Sequence, residues 1–128
     1  MAEYGDVLAA NLRAFRTRKG VSQDLLGQRM KALGYTVWRS QTVARAESGQ
    51  RRLTAEEILG LAAALEVTMR QLLAPQPDDK VVEFPSGESI EVLSVQRSLS
   101  GTFDGAVTWD GAKHTIGPVP DAGRWGED

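Results

Sequence analysis

The sequence predicts a mainly α protein, with five helices over residues 1–74 followed by a small antiparallel β appendage over 81–117. Three observations carry that reading. Apolar residues in the first part of the chain recur at helical spacing, as in Leu8, Leu12 and Phe15. Capping residues and glycines punctuate that run at helix-length intervals. Beyond Pro75 the pattern changes to short Val- and Ile-containing runs separated by Pro and Gly turns.

Each helix has its own local warrant. In the first, Leu8, Leu12 and Phe15 share a face, and Lys19-Gly20 supplies a basic last turn and a terminal glycine. Ser22 can cap the second, Asp24 suits its first turn, and Leu26, Met30 and Leu33 repeat the spacing before Gly34. In the third, Trp38, Val43 and Ala46 can turn inward while Arg39, Ser40, Gln41, Ala44 and Arg45 turn out, closed by Ser48-Gly49. Thr54 with Glu57 forms a capping box ahead of Ile58, Leu61 and Leu65, and Thr68 with Gln71 repeats it ahead of Leu72 and Leu73.

Residues 75–80 are Pro-rich and acidic and read as a linker. Val81 to Phe84, Ile90 to Val95 and Ala106 to Trp109 are β-prone, with turns at Pro85-Ser86-Gly87, Ser100-Gly101 and Asp110-Gly111. Phe84, Ile90, Val92, Phe103, Val107, Trp109 and Ile116 would form a thin apolar face. Residues 118–128 are expected to be a disordered tail.

Composition narrows the functional classes. The chain has 128 residues, 41% of them hydrophobic, which suits one domain or one small domain with an appendage and excludes large multidomain enzymes. The absence of Cys excludes thiol catalysis and zinc–thiolate sites and suits a reducing cytoplasm. No apolar run approaches the roughly 20 residues needed to span a bilayer. The opening MAEYGDVLAANLR carries acids where a signal peptide carries a basic flank, so a cytoplasmic protein without a membrane partner is expected.

The net charge of −2 conceals a division by position. Residues 1–74 hold 11 Lys and Arg against 7 Asp and Glu, whereas 75–128 hold 4 against 10. Between Asn11 and Arg52 the excess sharpens to 10 basic residues against Asp24 and Glu47. A local excess of this kind is what a polyanion-binding surface requires.

Two short helices separated by a turn, the second polar outside and flanked by arginines, can place one helix in a DNA major groove. The segments Leu12-Arg13-x-x-Arg16, Gly20-Val21-Ser22-Gln23-x-x-Leu26, Gln41-Thr42-Val43-x-Arg45-x-Glu47-x-Gly49 and Leu61-Ala62-x-Ala64-Leu65 fall in the order of a known family. Over residues 6–74 the chain resembles the lambda-repressor-like, Cro/CI-type or XRE-type, helix-turn-helix family. The resemblance implies a five-helix DNA-binding domain whose third helix reads base edges through Arg39, Ser40, Gln41, Ala44 and Arg45. Gln41 suits adenine and Arg45 suits guanine or phosphate. It further implies backbone-phosphate contacts from Ser22, Gln23, Thr42, Arg51 and Arg52, and a structural pair between Arg16 and Glu47. The segment Lys31 to Val37 departs from the family's tight turn by about half a dozen residues. It is similar to an extended turn in a subset of actinobacterial-type regulators, and it leaves the angle of the third helix and the role of Arg39 open.

The leading reading is a sequence-specific DNA-binding transcriptional regulator, a repressor, with a phage immunity repressor as a special case. Double-stranded DNA is the expected partner and a homodimer the expected form, because one helix reads too few bases to select a site in a genome. The alternative is an antitoxin or adaptor that binds a protein through the C-terminal β region and uses DNA binding for autoregulation. An enzyme has little support, since the sequence shows no nucleophile with a base, no paired carboxylates in a defined context and no nucleotide loop, and no catalytic residue is assigned. No cofactor or metal is expected either, because His114 is the single histidine and has no second ligand at a metal-like spacing. Ser86 or Ser100 with Lys80 or Lys113 lacks the context of a self-cleaving serine–lysine tail. Trp38 is expected as a core plug rather than a DNA contact.

Overall fold

Helical signals dominate the first 73 residues, and the computed structural model turns each of them into a helix. It describes residues 2–75, 81–100, 106–110 and 113–117. The linker residues 76–80, Phe103 and the tail 118–128 lie outside the described residues. The described residues divide into two compact units, one from Gly5 to Leu73 and another formed by residues 2–4 with those from Ala74 onward.

The first unit holds α1 (Tyr4–Arg18) from Gly5 on, with α2 (Gln23–Ala32), α3 (Ser40–Glu47), α4 (Ala55–Leu65) and α5 (Met69–Leu73). Local chemistry sets their ends. Ser22 caps α2, its hydroxyl accepting from the Leu25 N–H at 3.0 Å. Thr54 and Glu57 bond reciprocally at the start of α4, at 2.9 and 3.1 Å. Thr68 and Gln71 do the same before α5, at 2.8 and 3.0 Å. α4 ends on Glu66 in the left-handed region at φ 56°, without a glycine.

Packing follows the helical faces. Leu12, Leu26, Met30, Trp38, Val43, Leu61 and Leu65 are fully buried in one core, with Phe15, Tyr35 and Leu53 packed at its margin. Full burial of a side chain of this size contributes about 1.5–3 kcal/mol. Buried polar groups close the bundle where apolar contact cannot: Asn11 Nδ2 donates to the Leu72 carbonyl at 2.8 Å, tying α1 to α5. An Arg29 guanidinium nitrogen donates to the Ala64 carbonyl at 2.8 Å near the C-terminal end of α4, where the helix dipole favours a cation.

The extended turn is ordered by the core. Tyr35 donates its hydroxyl to the Glu56 carbonyl at 2.9 Å, and Trp38 is wholly enclosed, as its size predicted. Gly27 lets α2 meet the start of α3: a Cβ there would stand 2.6 Å from the Arg39 carbonyl carbon and 2.7 Å from its Cα. That backbone approach sets how α3 sits on α2.

The second unit contains β1 (Ala2–Glu3), β2 (Val81–Glu83), β3 (Ser89–Glu91), α6 (Val92–Ser100), β4 (Ala106–Asp110) and β5 (Lys113–Gly117). β2 and β3 form an antiparallel hairpin with Val82 opposite Ile90, turned through Phe84–Glu88 with Gly87 at φ 90°. β4 and β5 form a second antiparallel pair, with Val107 opposite Ile116 and Trp109 opposite His114.

Three details differ from the sequence reading of the β appendage. The run Ile90 to Val95 is strand only to Glu91 and then becomes α6. Val92 and Val95 are buried three residues apart, and Leu99 continues that stripe four further on, which is helical rather than period-two spacing. β1 adds a parallel strand, pairing Ala2 with Val82, so the sheet is not purely antiparallel. Phe84, expected on the apolar face with Ile90 and Val92, lies in the turn and is 41% exposed. Among the described residues no helix is long and apolar enough to cross a membrane, and no cluster of three or more His, Asp or Glu could hold a metal ion.

Candidate nucleic-acid interface

α3 presents two unlike faces. Val43 and Ala46 are buried against the core, while Gln41 and Arg45 are exposed and Ser40 and Ala44 are half-buried between them. Arg39, the residue before the helix, is also exposed. Its N–H donates to Thr42 Oγ1 at 3.2 Å, and that hydroxyl donates to the Val37 carbonyl at 3.2 Å. Thr42 thus spends its side chain on fixing the first turn of α3. Val37, Arg39, Gln41, Thr42, Arg45 and Arg51 border a shallow depression of about 260 Å³, with three guanidinium groups and no carboxylate in its lining.

The structure brings Arg16 and Glu47 together in a two-pronged pair. Arg16 Nε meets Glu47 Oε2 at 2.5 Å and a terminal nitrogen meets Oε1 at 3.0 Å, while the other terminal nitrogen donates to the Val21 carbonyl at 2.9 Å. The Glu47 side chain is 5% exposed. Its hydrogen bond, outweighing the opposing effect of burial, raises the Arg16 pKa above its ordinary value. Gln23 Nε2 donates to the same Glu47 Oε1 at 3.2 Å, so one carboxylate joins α1, α2 and α3. The hydrogen-bonded nitrogen fixes the Gln23 amide at the positive end of α2. Ser22 is exposed, with its oxygen committed to capping that helix.

A second cluster was not legible in the sequence. Glu57, read there only as a cap, accepts from Trp38 Nε1 at 3.0 Å and from the Thr54 N–H at 2.9 Å, and pairs with an Arg51 nitrogen at 2.7 Å. The Arg51 guanidinium lies 4.9 Å from the Trp38 ring centroid, within cation–π range. Burial by itself would raise the Glu57 carboxyl. The hydrogen bonds from Arg51, Thr54 and Trp38, with the Arg51 charge, outweigh it and hold the pKa at about 2. Arg51 is half-buried and engaged in this cluster, whereas Arg52 beside it is exposed. The one sequence signal for the cluster was the placing of Trp38 and Arg51 on either side of α3.

No family model and no curated protein matches the chain. Solved structures do. A hypothetical transcription factor from Neisseria, NHTF, is 33% identical, the match covering 57% of this chain and 77% of that one at a TM-score of 0.50. The restriction-modification controller protein C.AhdI from Aeromonas hydrophila is 32% identical over 53% of this chain and 94% of its own, at a TM-score of 0.47. The clp gene regulator ClgR from C. glutamicum shares the fold at 22% identity, over 57% and 87% of the two chains, at a TM-score of 0.51.

Proposed function

Because the chain belongs to the lambda-repressor-like, XRE-type helix-turn-helix family of DNA-binding transcriptional regulators, we propose that it is a sequence-specific repressor reading an operator major groove with α3. One observation carries this reading. The exposed face of α3, with Gln41 and Arg45, opens on a depression bordered by three arginines and no carboxylate, on the far side from buried Val43 and Ala46.

Roles follow from chemistry and placement. Gln41 and Arg45 reach base edges, Arg39, Ser40 and Ala44 border them, and side-chain amides and guanidiniums suit adenine and guanine respectively. Arg52 and Gln23 hold backbone phosphates, Gln23 at the N-terminal end of α2 where the helix dipole favours an anion. Ser22 and Arg51 serve the same contact by ordering the chain beside those groups, and Thr42 orders the first turn of α3, from which Gln41 projects. A homodimer on a two-fold symmetric site supplies the remaining specificity.

Selection of bound fragments from random duplex DNA by the full chain tests the reading. A palindromic site is expected. Affinity should fall on added salt, with log affinity dropping about 0.9 for each phosphate contact against log salt. Failure to bind random and genomic duplex at low salt would overturn it.

A further inference from the structure

The turn between α2 and α3 holds an apolar side chain against the face proposed to read DNA. Val37 is 70% exposed, more than any other large apolar side chain among the described residues. An isolated exposed valine is ordinary. This one is held on both sides: before it, Tyr35 donates its hydroxyl to the Glu56 carbonyl, and after it, Trp38 is fully buried and bonded to Glu57, while the Val37 carbonyl receives the Thr42 hydroxyl. The backbone is therefore pinned to the core and to the first turn of α3, while the isopropyl group is left in solvent. It borders the same depression as Arg39, Gln41, Arg45 and Arg51.

We propose that Val37 is a specificity-determining residue that packs on the C5-methyl group of a thymine beside the base pair read by Gln41. The inference rests on the reading of α3 as the groove-binding element. Major-groove base edges offer donors and acceptors and a single apolar feature, the thymine methyl. The cationic and amide groups around the depression match phosphates and polar base edges. Val37 is the one wholly apolar side chain in that lining; Thr42 also carries a methyl, but its side chain is held by hydrogen bonds to the Arg39 N–H and the Val37 carbonyl. Its fixed backbone means that no loop ordering has to accompany the contact.

The test uses the full chain and the operator it selects from random duplex, with each thymine replaced singly by deoxyuridine, which removes only the methyl. Binding is followed by fluorescence anisotropy for the wild-type chain and for Val37→Ala. The substitution sits at an exposed position, so the fold is retained, which circular dichroism verifies. For the wild type, one thymine per half-site should lose roughly fourfold in affinity on replacement, the size of one buried methyl or methylene group. Val37→Ala should bind the parent operator roughly fourfold more weakly and show no further loss at that thymine. Equal deoxyuridine penalties with and without the valine, or no penalty at any thymine, overturn the inference while leaving the operator reading in place. A chain that selects no duplex overturns both.

Discussion

Replacing Glu57 with Gln isolates the electrostatic part of the cluster beneath α3. The volume is kept, and Gln at this position can still complete the capping box with Thr54. What disappears is the charge facing Arg51 and the capacity to accept three hydrogen bonds, from Trp38, Thr54 and Arg51, at 3.0, 2.9 and 2.7 Å. An amide oxygen takes at most two, and the amide NH₂ would face a donor. The magnitude follows from the carboxyl's lowering from 4.5 to about 2. At about 1.4 kcal/mol per pKa unit, the ionised form is favoured on folding by about 3 kcal/mol. The Glu57 side chain is only 10% exposed, so solvent screens little of this. Because the folded pKa lies below the unfolded one, this stability is fully present above about pH 5. It is lost as pH falls from there through 2. Urea denaturation at pH 7 should therefore show Glu57→Gln less stable by about 3 kcal/mol, and at pH 2.5 the gap should shrink to under about 1 kcal/mol. A gap that does not change with pH would refute the ionic account, and a difference below about 0.5 kcal/mol at pH 7 would refute the cluster's contribution altogether.

Other perturbations address the interface itself. Gly27→Ala places a Cβ 2.6 Å from the Arg39 backbone, so α2 and α3 must part; urea denaturation should show a loss of about 1–3 kcal/mol, with operator affinity falling further than stability accounts for. Gln41→Ala should relax preference at one base pair, costing about 1–3 kcal/mol on the selected operator and little on random duplex; equal losses on every sequence would show that Gln41 does not read a base. Arg52→Ala should weaken all duplexes alike and reduce the salt slope by about 1, read from anisotropy titrations across salt.

Helix ends were legible in the sequence because their causes are local. Ser22, the Thr54–Glu57 pair and the Thr68–Gln71 pair each act within three residues, and all appear as hydrogen bonds. The two faces of α3 were legible for the same reason, through helical periodicity. The strand-to-helix change at Val92 was not, because Ile90 to Val95 is rich in β-branched residues, and burial at Val92 and Val95 overrides that propensity. A two-residue strand such as β1 is too short to carry a period. Nor could spacing join Trp38 to Glu57, 19 residues apart, or reveal that Arg51 is drawn towards both. The family resemblance supplied the Arg16–Glu47 pair but not the third member, Gln23, which meets Glu47 only once α2 and α3 are packed.

The longer turn before α3 bears on specificity because its length does not decide where the helix lies. A flexible insertion would add conformational freedom that binding must remove. Here Tyr35 is tied to α4 through the Glu56 carbonyl, and a Cβ at Gly60 would stand 2.7 Å from the Tyr35 ring, so α4 leaves room for that ring by having none. Trp38 fills the core, and the bare Gly27 backbone abuts Arg39. With Tyr35 and Trp38 fixed, the orientation of α3 is set by these contacts, and the side chain of Val37 between them is left out of the core. Val37 stands 70% exposed as a consequence, and Leu33, which lies ahead of Tyr35 at the end of α2, is 52% exposed. Of the two, only Val37 borders the arginine-lined depression, which makes it the place where an inserted turn can add a base preference without disturbing the fold that presents it.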